Sequence, residues 1–507
     1  MKVFVKYPGL KLKNLIFQVQ LSFKETKLKN FCKLALDTAL SKGASYVDIR
    51  FVESKDESIT VKNANIGRLI QEETIGYGIR VIKNGAWGFA STDKITNEDI
   101  KKTALLAINI AEASFRLKRK NVLLAPEPAY QDIWISPYTI DPFKISLDEK
   151  LKLMYKTDSI LRKSKLIKQT KVFLKFLKEH KFFASSEGSF IEQYIISSGG
   201  GFSVDASNGD DIQTRSYPLS FEGVHKTTGY EIIPALDFIG NAERVREEAI
   251  TLLTAKNCPG GEKRNIILMP NQLVLQIHES TGHASELDRV LGYEADFAGT
   301  SFLTTEKLNN FKYGSDIVNL VADSTLPTGL ATQGYDDDGV KAKRWHIVKN
   351  GIHTGYMVNR ETAHETGLSC SYGCNRSQGY ADIPITRITN LSLMPVKGTL
   401  KELIENTDDA ILMDNNRCWS IDQKRLNFQF GCEVGWHIKK GKIGKMFKNP
   451  YYQGITPEFW NSCDYICGPE EWQLLGVLNC GKGQPMQINK MSHGSSPARF
   501  KNVMLGQ

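Results

Sequence analysis

The chain has 507 residues, 41% hydrophobic and 24% charged, which is enough for two or three folded domains. Its net charge of +9 arises from 65 basic residues dispersed among 56 acidic ones, the pattern of a Lys-rich soluble enzyme with neither nucleic acid nor membrane as a partner. Nine cysteines without a regular framework, and no apolar run near the ~18 residues of a membrane span, are expected of a cytoplasmic protein with reduced thiols.

The basic, partly apolar start is followed by no small-residue cleavage site, so residues 1–26 are read as an N-terminal extension rather than a signal peptide. Residues 23–43 place Leu28, Phe31, Cys32, Ala35 and Leu36 at helical spacing, with Gly43 as the stop. Strands are predicted at 46–53, 58–61 and 76–82, and Asn84-Gly85 marks a hairpin turn into 86–90. A second amphipathic helix spans 96–114, with Thr96 or Asn97 as its cap and Ile100, Ala104, Ala107, Ile108 and Ala111 on one face. Helix, hairpin-rich sheet and helix together predict an α+β domain over 27–230. Within it, 146–179 is Lys-rich and helical in pattern, and 187–217 is a polar, Gly-rich strand region. Gly199-Gly200-Gly201 lacks the companions of a phosphate-binding loop and is read as a turn or bulge. The glycines of Gly76-Tyr77-Gly78 are likewise assigned to turn chemistry.

A boundary is expected near residue 230, ahead of a helix at 237–256. Residues 231–507 read as a mainly β domain: short β-prone pieces at 317–322, 345–348, 355–358, 386–390, 410–413 and 428–438 alternate with Gly, Asn and Asp turns. Asn350-Gly351 is the hairpin signal between 345–348 and 355–358, and one helix is expected at 399–405. The fold class is therefore α+β, an N-terminal α+β domain followed by a mainly β domain that carries a helical inclusion.

That inclusion is the informative stretch. A strand-like run at 265–269 leads to Pro270, suited to a helix start, then to an apolar turn holding His278, Glu279 and His283. Neutral imidazoles ligate zinc, and a neighbouring carboxylate takes a proton from a metal-activated water. The spacing is HExxxH. Residues five apart on an α-helix are separated by more than a third of a turn, so both imidazoles reach one metal only through a π-bulge or a break, which Gly282 would permit. Catalytic zinc normally has three protein ligands, so a third is needed. The remaining histidines are scattered singly. Cys370/Cys374 and Cys463/Cys467 are CxxxC pairs without partner ligands. Cys480 lies between a short apolar strand and a Gly-rich turn, where a thiol is either a ligand or simply buried.

The segment around His278, Glu279 and His283 resembles the signature of the TldD/PmbA family of proteases, in its TldD-type subunit; the PmbA branch lacks the motif and is silent. Cys480-Gly481-Lys482 followed by Gln484-Pro485 resembles the family's late segment, with a loop from Cys480 to Gln484 shorter than usual. The resemblance extends over roughly residues 27 to 490 through Asp337-Asp338-Gly339, Asn350-Gly351, Arg376, Pro384, Arg387 and Thr389-Asn390. Of these, Asp337, Asp338 and Arg387 are read as ion-pairing and turn residues. The resemblance implies Zn2+ held by His278, His283 and Cys480, with Glu279 as general base. It also implies a buried site, a peptide or unfolded polypeptide substrate, and a homodimer or a heterodimer with a PmbA-like paralogue. The alternative is a catalytically silent scaffold or peptide-binding subunit. A thiol oxidoreductase built on Cys463 and Cys467 lacks the CxxC spacing.

Overall fold

The computed structural model describes residues 22–506 apart from Phe221, Gln484 and Pro485. The expected N-terminal extension lies almost wholly outside the described residues, as does Gln484 at the end of the Cys480–Gln484 loop. The N-terminal half is built on one eight-stranded sheet. α1 (Ser22–Leu40) leads to β1 (Tyr46–Lys62), β2 (Asn65–Lys83), β3 (Ala86–Thr92) and α2 (Asn97–Phe115). Then come β4 (Gln131–Ile135), α3 (Leu147–Leu161), β5 (Ile167–Ser185), β6 (Phe190–Ser207), β7 (Ile212–Tyr217) and β8 (Val224–Lys226). The order is β3-β2-β1-β5-β6-β4, with β7 and β8 also paired to β6.

Several local expectations yield to pairing. β1 is one strand rather than two, because β2 and β5 flank it along its length and satisfy the polar backbone of Ser54–Glu57 on both sides. The helical pattern expected through 179 stops at Leu161. Beyond it, Val172, Leu174 and Phe176 alternate on the buried face of β5, held between β1 and β6. The Lys repeat there imitated helical periodicity. Gly199, Gly200 and Gly201 form neither turn nor bulge; they stay in register opposite Lys175, Leu174 and Phe173. They are needed for closeness instead: a Cβ on Gly199 would lie 2.3 Å from the Val224 carbonyl of the crossing β8. Gly76 and Gly78 are also mid-strand, and the Tyr380 ring occupies the space where a Cβ on Gly76 would sit.

α1 and α2 pack on β1–β3 through Phe31, Cys32 and Ala35 against Ile100, Ala104 and Ala107. α3 and the helix Phe238–Leu252 cover β5–β7 through Met154, Leu161, Phe238, Ala242 and Val245. The latter helix, which follows the expected boundary, is capped by Asp237 and buries its apolar stripe on the first sheet.

In the C-terminal half, Asp409–Ile421, Lys263–Leu268, Ala498–Leu505, Tyr451–Ile455 and Asn427–Lys439 pair in that order. Asp409–Ile421 pairs back onto Asn427–Lys439, closing a five-stranded barrel. Phe428, Phe430, Tyr452, Phe459 and Phe500 make its aromatic core, with Phe459 stacked on Phe500 at 4.1 Å. Beside it lie a four-stranded sheet (Ile352–His353, Arg344–Lys349, Leu320–Asp323, Leu391–Leu393) and the hairpin Gln473–Lys482/Gln487–Ser495.

The Asn350-Gly351 turn is present, both residues at positive φ, but its second arm is Ile352–His353 rather than 355–358. Met357 is taken up instead by Ser285 and Glu286, beside the motif. The expected helix at 399–405 forms over Leu400–Glu405 with a Thr399/Glu402 capping box. The short helices Arg360–Glu365 and Thr456–Asn461 have too few residues to show periodicity.

Buried ion pairs join the halves. Asp338 meets Arg80 at 2.7 Å, and Asp337 meets Lys181 at 3.2 Å and Arg50 at 3.4 Å. Arg215 of β7 meets Glu433 at 2.9 Å. Among the described residues, no helix is long and apolar enough to cross a membrane.

Candidate metal centre

The motif begins where the barrel strand Lys263–Leu268 ends. Pro270 occupies the first helical position, and the helix Pro270–Ile277 lies against the barrel and the Gln487–Ser495 strand. Gln272 donates to the Tyr452 hydroxyl at 3.0 Å, and that hydroxyl donates to Gln276 at 3.0 Å, so the helix is bonded to the barrel core. His278–Gly282 is then a π-turn, in which the His283 N–H donates to the His278 carbonyl. This five-residue bond sets the two imidazoles on one side, with ring centres 4.8 Å apart. The π-turn is one of the two expected solutions. The other, a break at Gly282, does not occur, since Gly282 keeps helical φ and ψ of −57° and −67°. What glycine provides there is space, because a Cβ would lie 2.7 Å from Ile388 Cδ1.

His278 Nε2, His283 Nε2 and Cys480 Sγ converge because each residue is oriented from behind. The three buried residues have ligating atoms within 4.8 Å of one another. The His493 Nδ1–H donates to the Leu391 carbonyl at 2.9 Å, leaving its Nε2 to accept from the His278 Nδ1–H at 2.9 Å. Burial, with His278 alongside, holds the His493 imidazole neutral by pushing its pKa far down. His283 Nδ1–H donates to Glu286 at 2.8 Å. These bonds assign both tautomers and leave an Nε2 lone pair on each histidine turned inward.

Cys480 arrives from the other end of the chain. A bulge between Val477 and Cys480 shifts the hairpin register by one residue and places Cys480 opposite Asn489. Without it, Asn479 would take that place, so the bulge brings the thiol onto the face of the hairpin that carries His493. The strand is locked by charge. Lys482, fully buried, pairs with Asp288 at 2.7 Å, Glu286 at 3.5 Å and Glu294 at 3.7 Å, and donates to the Thr386 carbonyl at 2.6 Å. Burial opposes the ammonium charge, but these carboxylates outweigh it and raise its pKa. Arg387 donates to the carbonyls of Cys480 and Gln487, so it holds the ligand strand rather than forming the ion pair expected of it.

Burial would raise the Cys480 thiol, yet His283, His278 and Arg387 outweigh it and hold it well below its usual pKa. Conversely, burial would lower His283, but Cys480 and Glu286 push it up to about 9. Sγ and His283 Nε2 are 3.4 Å apart. Two imidazoles and a thiolate, each freed and aimed inward, fit a divalent transition metal with a fourth position left open.

Glu279 lies beside this trio and outside it. Its Oε2 accepts from Arg425 Nη1 at 2.5 Å. Burial alone would raise its carboxyl; the charges of His278, His283 and Arg425 and a hydrogen bond from Trp419 outweigh burial and keep it ionised. Cys370, Cys374, Cys463 and Cys467 are free and take no part in the trio.

Sequence reasoning missed His493, Arg425, Glu286 and Trp419. Glu286 had a signal, a carboxylate three residues after a ligating histidine. The others reach the site only through tertiary contacts.

The family profiles described as PmbA/TldA metallopeptidase domain 1, central domain and C-terminal domain match residues 47–111, 140–253 and 261–505. A metalloprotease of Methanocaldococcus jannaschii is 28% identical over 87% of this chain and 94% of its own length. A protein of Saccharolobus solfataricus named a zinc metalloprotease TldD homolog is 26% identical over 92% of this chain and 97% of its own length. Among solved structures, TldE of Thermococcus kodakarensis superposes with a TM-score of 0.70 at 16% identity, covering 95% of this chain and all of that one. A Thermotoga maritima protein described as a proposed modulator of a DNA gyrase reaches 0.74 at 17% identity, over 94% of this chain and all of that one. At such identities these two structures speak for the fold alone.

Proposed function

This chain belongs to the PmbA/TldA metallopeptidase family, and from that premise we propose that it is a TldD-type peptidase that hydrolyses peptides or unfolded polypeptides with zinc held by His278, His283 and Cys480. The observation that carries the reading is the pairing of an open three-donor set with a separate, ionised carboxylate beside it. When bound there, zinc supplies Lewis acidity toward a carbonyl and lowers the pKa of water.

The chain's own residues do the rest. Glu279 takes the proton of the attacking water and delivers it to the leaving amine nitrogen. His493 and Glu286 fix the imidazole orientations, Lys482 and Arg387 hold the thiolate strand, and the buried walls exclude bulk water. Strand addition at a sheet edge of the C-terminal half would suit an extended substrate recognised through its backbone. Nine free cysteines accord with a cytoplasmic setting, and the TldE-like fold accords with assembly into a homodimer or with a PmbA-like paralogue.

The test compares wild type, Glu279→Gln and His278→Ala on an unfolded polypeptide, alone and with a PmbA-like partner, with particle mass read by light scattering. Glu279→Gln keeps its zinc and loses cleavage by about 10²- to 10⁴-fold, as expected for loss of a general base. His278→Ala loses both. Zinc-loaded wild type that cleaves nothing in any combination would establish the silent-scaffold alternative.

A further inference from the structure

Arg425 carries more hydrogen-bonding capacity than its contact with Glu279 uses. It sits at φ +63° in the turn between Asp409–Ile421 and Asn427–Lys439, with its side chain mostly enclosed. The turn is rigid. Asp422 accepts from the backbone N–H groups of Leu426 and Asn427 at 2.8 and 3.0 Å, and the Thr456 hydroxyl donates to the Arg425 carbonyl at 2.9 Å. Arg289 donates from its Nη2 to the Gln423 carbonyl at 2.7 Å. Arg425 and Arg289, both of which interact electrostatically with Glu279, are thus used differently. Arg289 spends its donors on the carbonyls of Thr300, Ala298 and Gln423, and serves the turn. Arg425 bonds Glu279 through Nη1 alone, and its Nε is buried with no partner among the described residues. A buried guanidinium N–H left without an acceptor is unfavourable by roughly 1–3 kcal/mol unless something arrives to accept from it.

We infer that Arg425 is a catalytic residue that receives the oxygen of the scissile carbonyl as it becomes negative. This rests on the peptidase reading. Water oxygen attacks the carbonyl carbon, the C=O π pair moves to the carbonyl oxygen, and the water proton goes to Glu279. The guanidinium donates to that oxygen through the N–H groups that Glu279 leaves free. The oxygen's pair then reforms the C=O bond, the C–N bond breaks, and the proton on Glu279 passes to the amine. The guanidinium is already held beside Glu279 by that bond, so its donors are in place where the negative charge develops. Arg289 is anchored to carbonyls through Nε and Nη2, and its Nη1 faces Glu294 at 4.0 Å.

The experiment uses zinc-loaded wild type, Arg425→Ala and Arg425→Lys. Arg425 makes no contact with the three metal-binding side chains, so zinc content is expected to match wild type, while the melting temperature falls because buried Glu279 loses its cationic partner. On a polypeptide that wild type cleaves, Arg425→Ala loses about 10²- to 10³-fold in kcat, the usual effect of removing an oxyanion donor, with KM little changed. Added guanidinium restores part of the rate in Arg425→Ala, and Arg425→Lys, lacking the planar fork, recovers only a fraction. Calorimetric binding of a phosphinic peptide, a stable mimic of the tetrahedral adduct, should weaken in Arg425→Ala as much as kcat/KM falls, while the product peptide binds unchanged. Wild-type kcat in Arg425→Ala would overturn the assignment. So would a loss confined to KM and to substrates with a free C-terminal carboxylate, which would make Arg425 a reader of the chain end. Equal phosphinic-peptide affinity in wild type and Arg425→Ala would overturn it even if the wild type had no turnover, whereas absent turnover by itself strikes the peptidase reading.

Discussion

At the residue scale, Cys480 was one of two open possibilities from its local sequence, and the resemblance alone favoured it as a ligand. In the structure it differs from the other buried thiols by its neighbours. Burial pushes Cys463 far above the usual thiol range, whereas two imidazoles and Arg387 hold Cys480 far below it. Only a thiolate binds metal. Cys480→Ser is therefore expected to lose most of its zinc on dialysis, measured by atomic emission, and Cys463→Ser to retain about one ion per chain. Equal retention by both variants would sink the three-ligand assignment. His493 was invisible for a plain reason: a single histidine far from the motif in sequence carries no spacing signal, and its role depends on Leu391 and His278 meeting it in space.

At the element scale, the HExxxH spacing demanded either a widened turn or a break, and the surrounding packing decided between them. The Tyr313 hydroxyl bonds Thr281 at 2.7 Å and the Ser280 carbonyl at 3.1 Å, and Trp460 donates to the Ser280 hydroxyl at 3.0 Å. These contacts hold the extra residue of the π-turn inside the core. Deleting Thr281 would leave a four-residue spacing and restore an ordinary α-helical turn. Such a turn also sets both imidazoles on one side, but it rotates everything after it by about 100°. His283 is carried round together with Glu286 and leaves Cys480. Zinc affinity is expected to fall at least tenfold, with circular dichroism showing retained secondary structure. Unchanged affinity would mean that the π-turn does not set the ligand geometry. The same competition between local pattern and packing explains β5, whose lysines imitate a helix while β1 and β6 impose a strand.

At the scale of the whole molecule, the two halves are tied by charges drawn from distant stretches. Burial would raise the Asp337 carboxyl, but Lys181, Arg50 and the Ser377 donors outweigh it and hold its pKa far below the usual range. A carboxyl depressed in the folded state contributes stability that is present above its unfolded value near 4, and that stability is lost as pH falls toward its folded value. Asp337→Asn is expected to destabilise the protein by roughly 3–5 kcal/mol at pH 7, because buried Arg50 and half-buried Lys181 lose their partner. In urea titrations the difference from wild type should shrink below about pH 4. A difference independent of pH would assign the effect to packing instead.

The sequence by itself determined the α+β class, both N-terminal helices, the Asn84-Gly85 and Asn350-Gly351 turns, and the need for a distorted turn between His278 and His283. These follow from periodicity, turn chemistry and helix geometry, which act within a few residues. Only the tertiary structure decided the uninterrupted β1, the strand at β5, the closed barrel, and the company of His493, Glu286, Lys482 and Arg425 around the motif. Those depend on hydrogen-bond ladders and buried charges that form between segments more than two hundred residues apart, for example His278 and His493, separated by 215 residues. A pattern in sequence can state that a buried charge needs a partner, but only the folded chain supplies one.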